Sequence, residues 1–175
     1  MTPLTEQQLR ASLVNTTRSE RQRMIVPDLA EIAWDRLDYL GWRDRKQPLA
    51  AYVVMTLDDE PGTKPDGEPV GVLLRATERT GPRRAALCAW CEDVVETRDV
   101  QLYVAKRGGA AGRKGDTVGT LICGDFRCSR NVRRRPTLAE AGRDDAGVRE
   151  QIVARRVEAL RRNTRRFLEE VRRTA

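Results

Sequence analysis

Cys88-Ala89-Trp90-Cys91 and, after an intervening segment, Cys123-Gly124-Asp125-Phe126-Arg127-Cys128 hold all four cysteines of the chain, in two close pairs. A tetrahedral zinc ion needs this arrangement. Two thiolates on a tight knuckle supply one edge of the tetrahedron and a second pair supplies the other. The chain has no histidine, so the four positions fall to Cys88, Cys91, Cys123 and Cys128. Two other uses of cysteine fit less well. A disulfide framework needs an oxidising compartment, and the opening Met1-Thr2-Pro3-Leu4-Thr5-Glu6 lacks the basic and apolar regions of a secretory signal. A redox Cys-x-x-Cys needs a strand before it and a helix at the first cysteine, within a parallel fold. Here Glu92 to Thr97 is short and charged, and no βαβ pattern follows.

Working outward, Val100, Leu102 and Val104 alternate with polar neighbours as in a half-buried strand. The loop 106–115 carries four glycines and four positive charges, but no Gly-Lys-Ser/Thr of a phosphate loop. Residues 117–122 read as the returning strand. A helix from Asp125 and Phe126 then carries Cys128 and runs on to Arg133, before Pro136. Knuckle, hairpin and helix in that order describe a treble-clef zinc finger. The helix N-terminus would favour anionic sulfur through its free amides.

The flanks complete an α+β reading. Residues 4–14 predict a short helix. Asp28 caps a second, with Leu29, Ile32, Ala33, Leu37 and Leu40 on one face and Gly41 ending it. The run 49–57 reads as a strand buried on both faces, pairing with a strand at 70–76 through a long acidic tip. Thr137-Leu138-Ala139-Glu140 fits a capping box. The C-terminal helix spans 146–173, with Val153, Val157, Leu160, Thr164, Phe167 and Val171 as its seam. We therefore expect an N-terminal helical segment at 1–47. An α+β domain at 48–175 then contains a small antiparallel sheet, the zinc finger (88–135) and the long C-terminal helix.

Charge bounds the function. The chain carries a net +7, unevenly: residues 1–80 hold 11 basic and 13 acidic residues, and residues 81–175 hold 22 and 13. The basic half favours an acidic partner, either protein or nucleic acid. Direct RNA or DNA binding lacks a base-stacking array, since aromatics are 5% of residues. Without histidine the usual triads and imidazole bases are missing, and a four-cysteine site has no open position for water. An enzyme with a small-molecule substrate is therefore not expected. No apolar run is long enough to span a membrane.

Three segments resemble the elongation-factor-G-binding proteins of the FusB (FBP) type. They are Cys88-x2-Cys91, the stretch from Gly119 through Cys123 and Cys128 to Arg133, and Leu160-x2-Asn163-x3-Phe167. The segment from Trp34 to Trp42 also looks like members of that family. The resemblance implies a non-enzymatic, cytoplasmic translation factor. It would bind the acidic elongation factor G, promote its release from the ribosome, and carry one structural zinc on the four cysteines. It implies a partner surface around Arg113, Lys114, Phe126, Arg127 and Arg130. Only 48 residues precede the first expected strand, so the N-terminal four-helix bundle of the resistance proteins is shortened or absent, and drug resistance does not follow.

Overall fold

The computed structural model describes residues 1–57, 67–77, 85–93 and 99–174. The expected acidic tip at 58–66 and the Arg83-Arg84 approach to the first cysteine lie outside them. Five antiparallel strands form one sheet in chain order: β1 Leu40–Arg43, β2 Ala50–Leu57, β3 Glu68–Ala76, β4 Val100–Lys106 and β5 Thr117–Cys123. Helices flank it: α1 Glu6–Ser12, α2 Arg18–Arg23, α3 Gly109–Arg113, α4 Cys128–Asn131, α5 Leu138–Ala141 and α6 Ala146–Arg172. The architecture is α+β, as expected.

β2 explains why the sheet is covered twice. Ala51, Val53, Met55 and Leu57 face a core that also holds the four cysteines, Trp90 and the inner face of α6. Ala50, Tyr52 and Val54 face a second core made with Leu9, Leu13, Met24, Trp34 and Trp42. A strand buried on both sides reads as a continuous apolar run, and 50–57 does.

The N-terminal segment is woven into the sheet. β3 and β4 pair only at Arg75–Val104 and Ala76–Tyr103. Where they diverge, Asn15 takes the place of a strand: its amide donates to the Leu73 carbonyl (2.9 Å) and the Lys106 carbonyl (2.9 Å), and it accepts from the Leu73 amide (2.8 Å). Beside it the Val14 amide donates to Gly71 (2.9 Å). A Cβ on Gly71 would lie 2.5 Å from the Ser12 hydroxyl, so only glycine allows this approach.

Three expectations need correction. The helix capped by Asp28 is absent. Two 3-10 turns, Leu29–Glu31 and Trp34–Arg36, stand there, and β1 begins at Leu40 inside the segment expected to be helical. Tyr39 and Leu40 enter opposite cores, which a strand period allows and a helix face does not. The basic loop 106–115 contains the short helix α3. Gly112 makes its turn possible, since a Cβ there would sit 1.8 Å from the Arg107 carbonyl oxygen. In α6 the buried stripe includes Ile152, Asn163 and Leu168, while Val153 and Val157 are only half-buried, so it is broader than the expected seam.

Candidate metal centre

Each cysteine is placed by a different backbone device. Cys88 and Cys91 sit on a turn closed by the Glu92 amide donating to the Cys88 carbonyl (2.9 Å), with Glu92 at φ +52°. The Ala89 amide donates to the Leu121 carbonyl (2.7 Å), which fixes this knuckle to β5. Cys123 ends β5, opposite Val100 of β4. A second turn follows, with Phe126 at φ +61° and its amide on the Cys123 carbonyl (3.1 Å). Cys128 then opens α4.

The sulfurs meet the demands of one zinc ion. All four lie within 4.8 Å of one another and are buried. Cys88 to Cys128 and Cys91 to Cys123 both measure 3.7 Å. A tetrahedron with sulfur at about 2.3 Å from zinc requires edges of about 3.8 Å. A disulfide requires about 2.0 Å, and none is formed. Hydrogen bonding from Cys123, then Cys128, drives the Cys88 thiol far below its usual range. Sharing with Cys123, then Cys88 and Cys91, and finally burial push Cys128 far above it. Four adjacent sulfurs cannot all be anionic without a cation between them, and a divalent metal that displaces the protons supplies one. The cysteines are thus positioned to hold one zinc.

Amide donors and aromatic rings support the sulfurs. Asn131 Nδ2 donates to Cys123 Sγ (3.5 Å), and the Cys91 amide donates to Cys88 Sγ (3.5 Å). Such bonds favour thiolate over thiol. α4 is a single turn rather than the longer helix expected to Arg133, so its dipole is short and these individual amides matter more. The Gly124 carbonyl accepts from both Tyr103 Oη (2.9 Å) and Arg43 Nε (2.9 Å), which holds the second turn against the sheet.

α6 closes the site from the other side. Trp90, inside the first knuckle, meets Tyr39 edge-on (5.1 Å between ring centres) and Phe167 at a tilt (5.6 Å). Asn163 Nδ2 donates to the Trp90 carbonyl (3.2 Å) and to Glu92 Oε1 (3.0 Å). Burial, then the neighbouring sulfurs, keep the Tyr39 phenol protonated, and it donates to the Phe126 carbonyl (3.4 Å).

The other expected site residues separate into two groups. Arg113 and Lys114 are exposed at the end of α3, beyond the Lys106–Thr117 end of the β4–β5 hairpin. Arg127 and Arg130 are exposed beside the cysteines, at its Val100–Cys123 end. Six residue steps of strand separate these ends, about 20 Å. Phe126, expected on the partner surface, is buried. Its ring packs on Tyr103 (5.3 Å) and under Gly41, where a Cβ would lie 2.7 Å from it. The roles of Asn131 and Tyr39 were not anticipated. Asn163 appeared only within a resemblance, yet its spacing from Leu160 and Phe167 marks one helix face.

The family described as the FBP C-terminal treble-clef zinc-finger matches residues 8–171. The match begins well before Trp34, in keeping with an N-terminal segment woven into the sheet. No curated protein and no solved structure matches the chain. With knuckle, hairpin, finger turn and cysteine cluster all in place, the chain belongs to the FBP C-terminal treble-clef zinc-finger family.

Proposed function

We propose that this protein binds elongation factor G and modulates its release from the ribosome, acting in the cytoplasm without chemistry of its own. The observation that carries this reading is the closed metal centre in a treble-clef family member. All four donors are cysteine sulfur and all are buried, so zinc there has no open position for a reacting water and serves to hold a surface in shape. Among the described residues no helix is long and apolar enough to cross a membrane.

Release would follow from differential affinity. A ligand that binds two states of its partner equally shifts nothing. The protein must therefore favour a conformation of the factor that the ribosome holds poorly. Arg113 and Lys114 form no ion pair among the described residues and stand at an exposed corner, suited to steering an acidic partner.

A second reading, direct binding to RNA, the ribosome or DNA, draws on α6. Arg155 and Arg162 are exposed there and make no ion pair among the described residues, whereas Arg161 and Arg165 are paired with Asp38 and Glu169. Calorimetric titration of the zinc-loaded protein into elongation factor G, at low and high salt, separates the two. One-to-one binding that partly survives salt, and weakens about tenfold when Arg113 and Lys114 are both changed to Glu, supports the first reading. No heat with the factor, but steeply salt-dependent binding to ribosomal RNA, supports the second.

A further inference from the structure

β5 is the last strand of the sheet in the order β1 to β5, and among the described residues one of its edges has no neighbouring strand. The direction of its backbone groups follows from three bonds. The Arg107 amide donates to the Asp116 carbonyl across the β4–β5 pair (2.9 Å). Groups facing β4 therefore recur at every second residue, Val118 and Thr120. Thr117, Gly119 and Leu121 turn their N–H and C=O groups the other way. The Ala89 amide on the Leu121 carbonyl confirms that direction, and so does the Thr77 amide on the Leu102 carbonyl, on the far side of β4 (3.2 Å). Among the described residues, the Gly119 amide and carbonyl and the Leu121 amide have no hydrogen-bond partner.

This open edge forms one wall of a cleft of about 690 Å³. Val118 to Leu121 supply the strand wall, the knuckle supplies Leu87 and Trp90, and α6 supplies Phe167 and Arg166. Three large apolar side chains line it while exposed: Leu87 at 52%, Leu121 at 43% and Leu102 at 39%. An unpaired edge with apolar flanks invites pairing by another chain unless something blocks it. Two of the usual blocks are missing from the strand itself: 117–121 contains no proline and no charge, and Gly119 at its centre carries no side chain. Two charged residues line the cleft: Glu170, already paired with Arg107 and Arg173, and Arg166, which has no ion-pair partner among the described residues and has exposed Arg162 one turn away, so the unpaired charge there is positive.

From this we infer that the free edge of β5 is a docking site that takes an extended segment of the partner protein as a sixth strand. The segment would alternate apolar residues, to cover Leu87, Leu102 and Leu121, with an acidic residue directed at Arg166. Strand addition supplies affinity through main-chain bonds and specificity through alternate side chains. The basic rim favours an acidic partner segment over a second copy of this basic chain. The inference rests on the reading that elongation factor G is the partner, and adds where and how it is held.

Gly119→Pro is the decisive variant. It removes the outward amide and obstructs an incoming strand. The β4–β5 ladder is spared because that amide does not point toward β4. Zinc content and thermal unfolding should match the wild type. Affinity for elongation factor G should fall about tenfold or more, since main-chain bonds and their close approach are lost. Leu121→Glu, at a side chain already in solvent, provides a second variant with the same expected loss if the proline variant fails to fold. Hydrogen exchange supplies the direct readout. In the complex the Gly119 and Leu121 amides should become protected, while those of Val118 and Thr120, bonded to β4, are protected with or without the factor.

If wild type binds the factor but the folded variants bind equally well and the outward amides stay unprotected, the docking site is wrong and the partner stands. If wild type does not bind the factor at all, the partner reading fails and takes this inference with it. If sedimentation shows a wild-type dimer that Gly119→Pro makes monomeric, while binding of the factor is unchanged, the edge belongs to a self-interface and the inference is overturned.

Discussion

At the scale of single residues, the four cysteines do the most. Exchanging Cys123 for serine replaces a thiolate with a poor zinc ligand and leaves three sulfurs crowded around a gap. Zinc bound to a site absent from the unfolded chain contributes directly to folding, by about 10 kcal/mol or more in small modules. We expect Cys123→Ser to lose zinc by atomic absorption and to lose cooperative unfolding of the finger. A soluble variant with no zinc and an unchanged unfolding transition would sink the structural role. These cysteines were legible in the sequence because few physical arrangements require paired cysteines at such spacing. Phe126 was not. Its neighbours Arg127 and Arg130 are exposed, but a left-handed backbone turns its own ring inward beneath Gly41. That reversal depends on a single positive φ, for which a phenylalanine gives no sign.

At the scale of elements, α6 is the clamp on the knuckle. Asn163 reaches two acceptors on the first knuckle, and Phe167 packs on Trp90. Asn163→Ala removes both bonds but leaves all four sulfurs in place. The expected result is a protein that binds zinc with normal stoichiometry and surrenders it to a chelator several-fold faster, because outer partners fix ligand orientation. Equal release rates in variant and wild type would reduce Asn163 to a helix-packing residue. α6 was legible as a helix from its length and periodicity, but its buried stripe includes a polar residue that a count of apolar positions passes over. The opposite error occurred at 28–40. Leu29, Ile32 and Leu37 fall at helical spacing by coincidence, and each is only half-buried, Leu29 in the first 3-10 turn and Ile32 and Leu37 just past the ends of the two turns. The informative signal was shorter. Tyr39, Leu40 and Trp42 sit where the chain must divide its large side chains between two cores, and so must extend.

At the scale of the whole molecule, one buried carboxylate joins three distant parts of the chain. Asp38, with no side-chain surface in solvent, receives two bonds from Arg133 (2.5 and 3.1 Å) and one from Arg161 (2.9 Å). Its own backbone amide donates to Ser129 Oγ (3.0 Å). The N-terminal segment, the finger turn and α6 are thereby tied at a single point. Burial raises the Asp38 pKa, but the bonds and charges of Arg133 and then Arg161 outweigh it, and the net shift is downward. A carboxylate with a lowered folded pKa contributes fully above its unfolded value, near 3.9, and loses that contribution as pH falls through the folded value. Glu140, held down chiefly by Arg134, acts in the same direction. We expect Asp38→Asn to cost about 2 kcal/mol at neutral pH, less than a fully buried pair would because both arginines remain partly in water. Below about pH 4 the wild type should lose stability more steeply than the variant, as followed by denaturant unfolding. Parallel curves would place the acid sensitivity elsewhere. The order of the chain adds a last consequence. α6 covers the cysteine-bearing face of the sheet and follows all five strands in chain order. A growing chain completes all five strands and all four cysteines while Trp90 and its apolar neighbours still lie open to solvent. In that interval metal capture, which needs no residue of α6 as a ligand, can order the half-built face before its cover arrives.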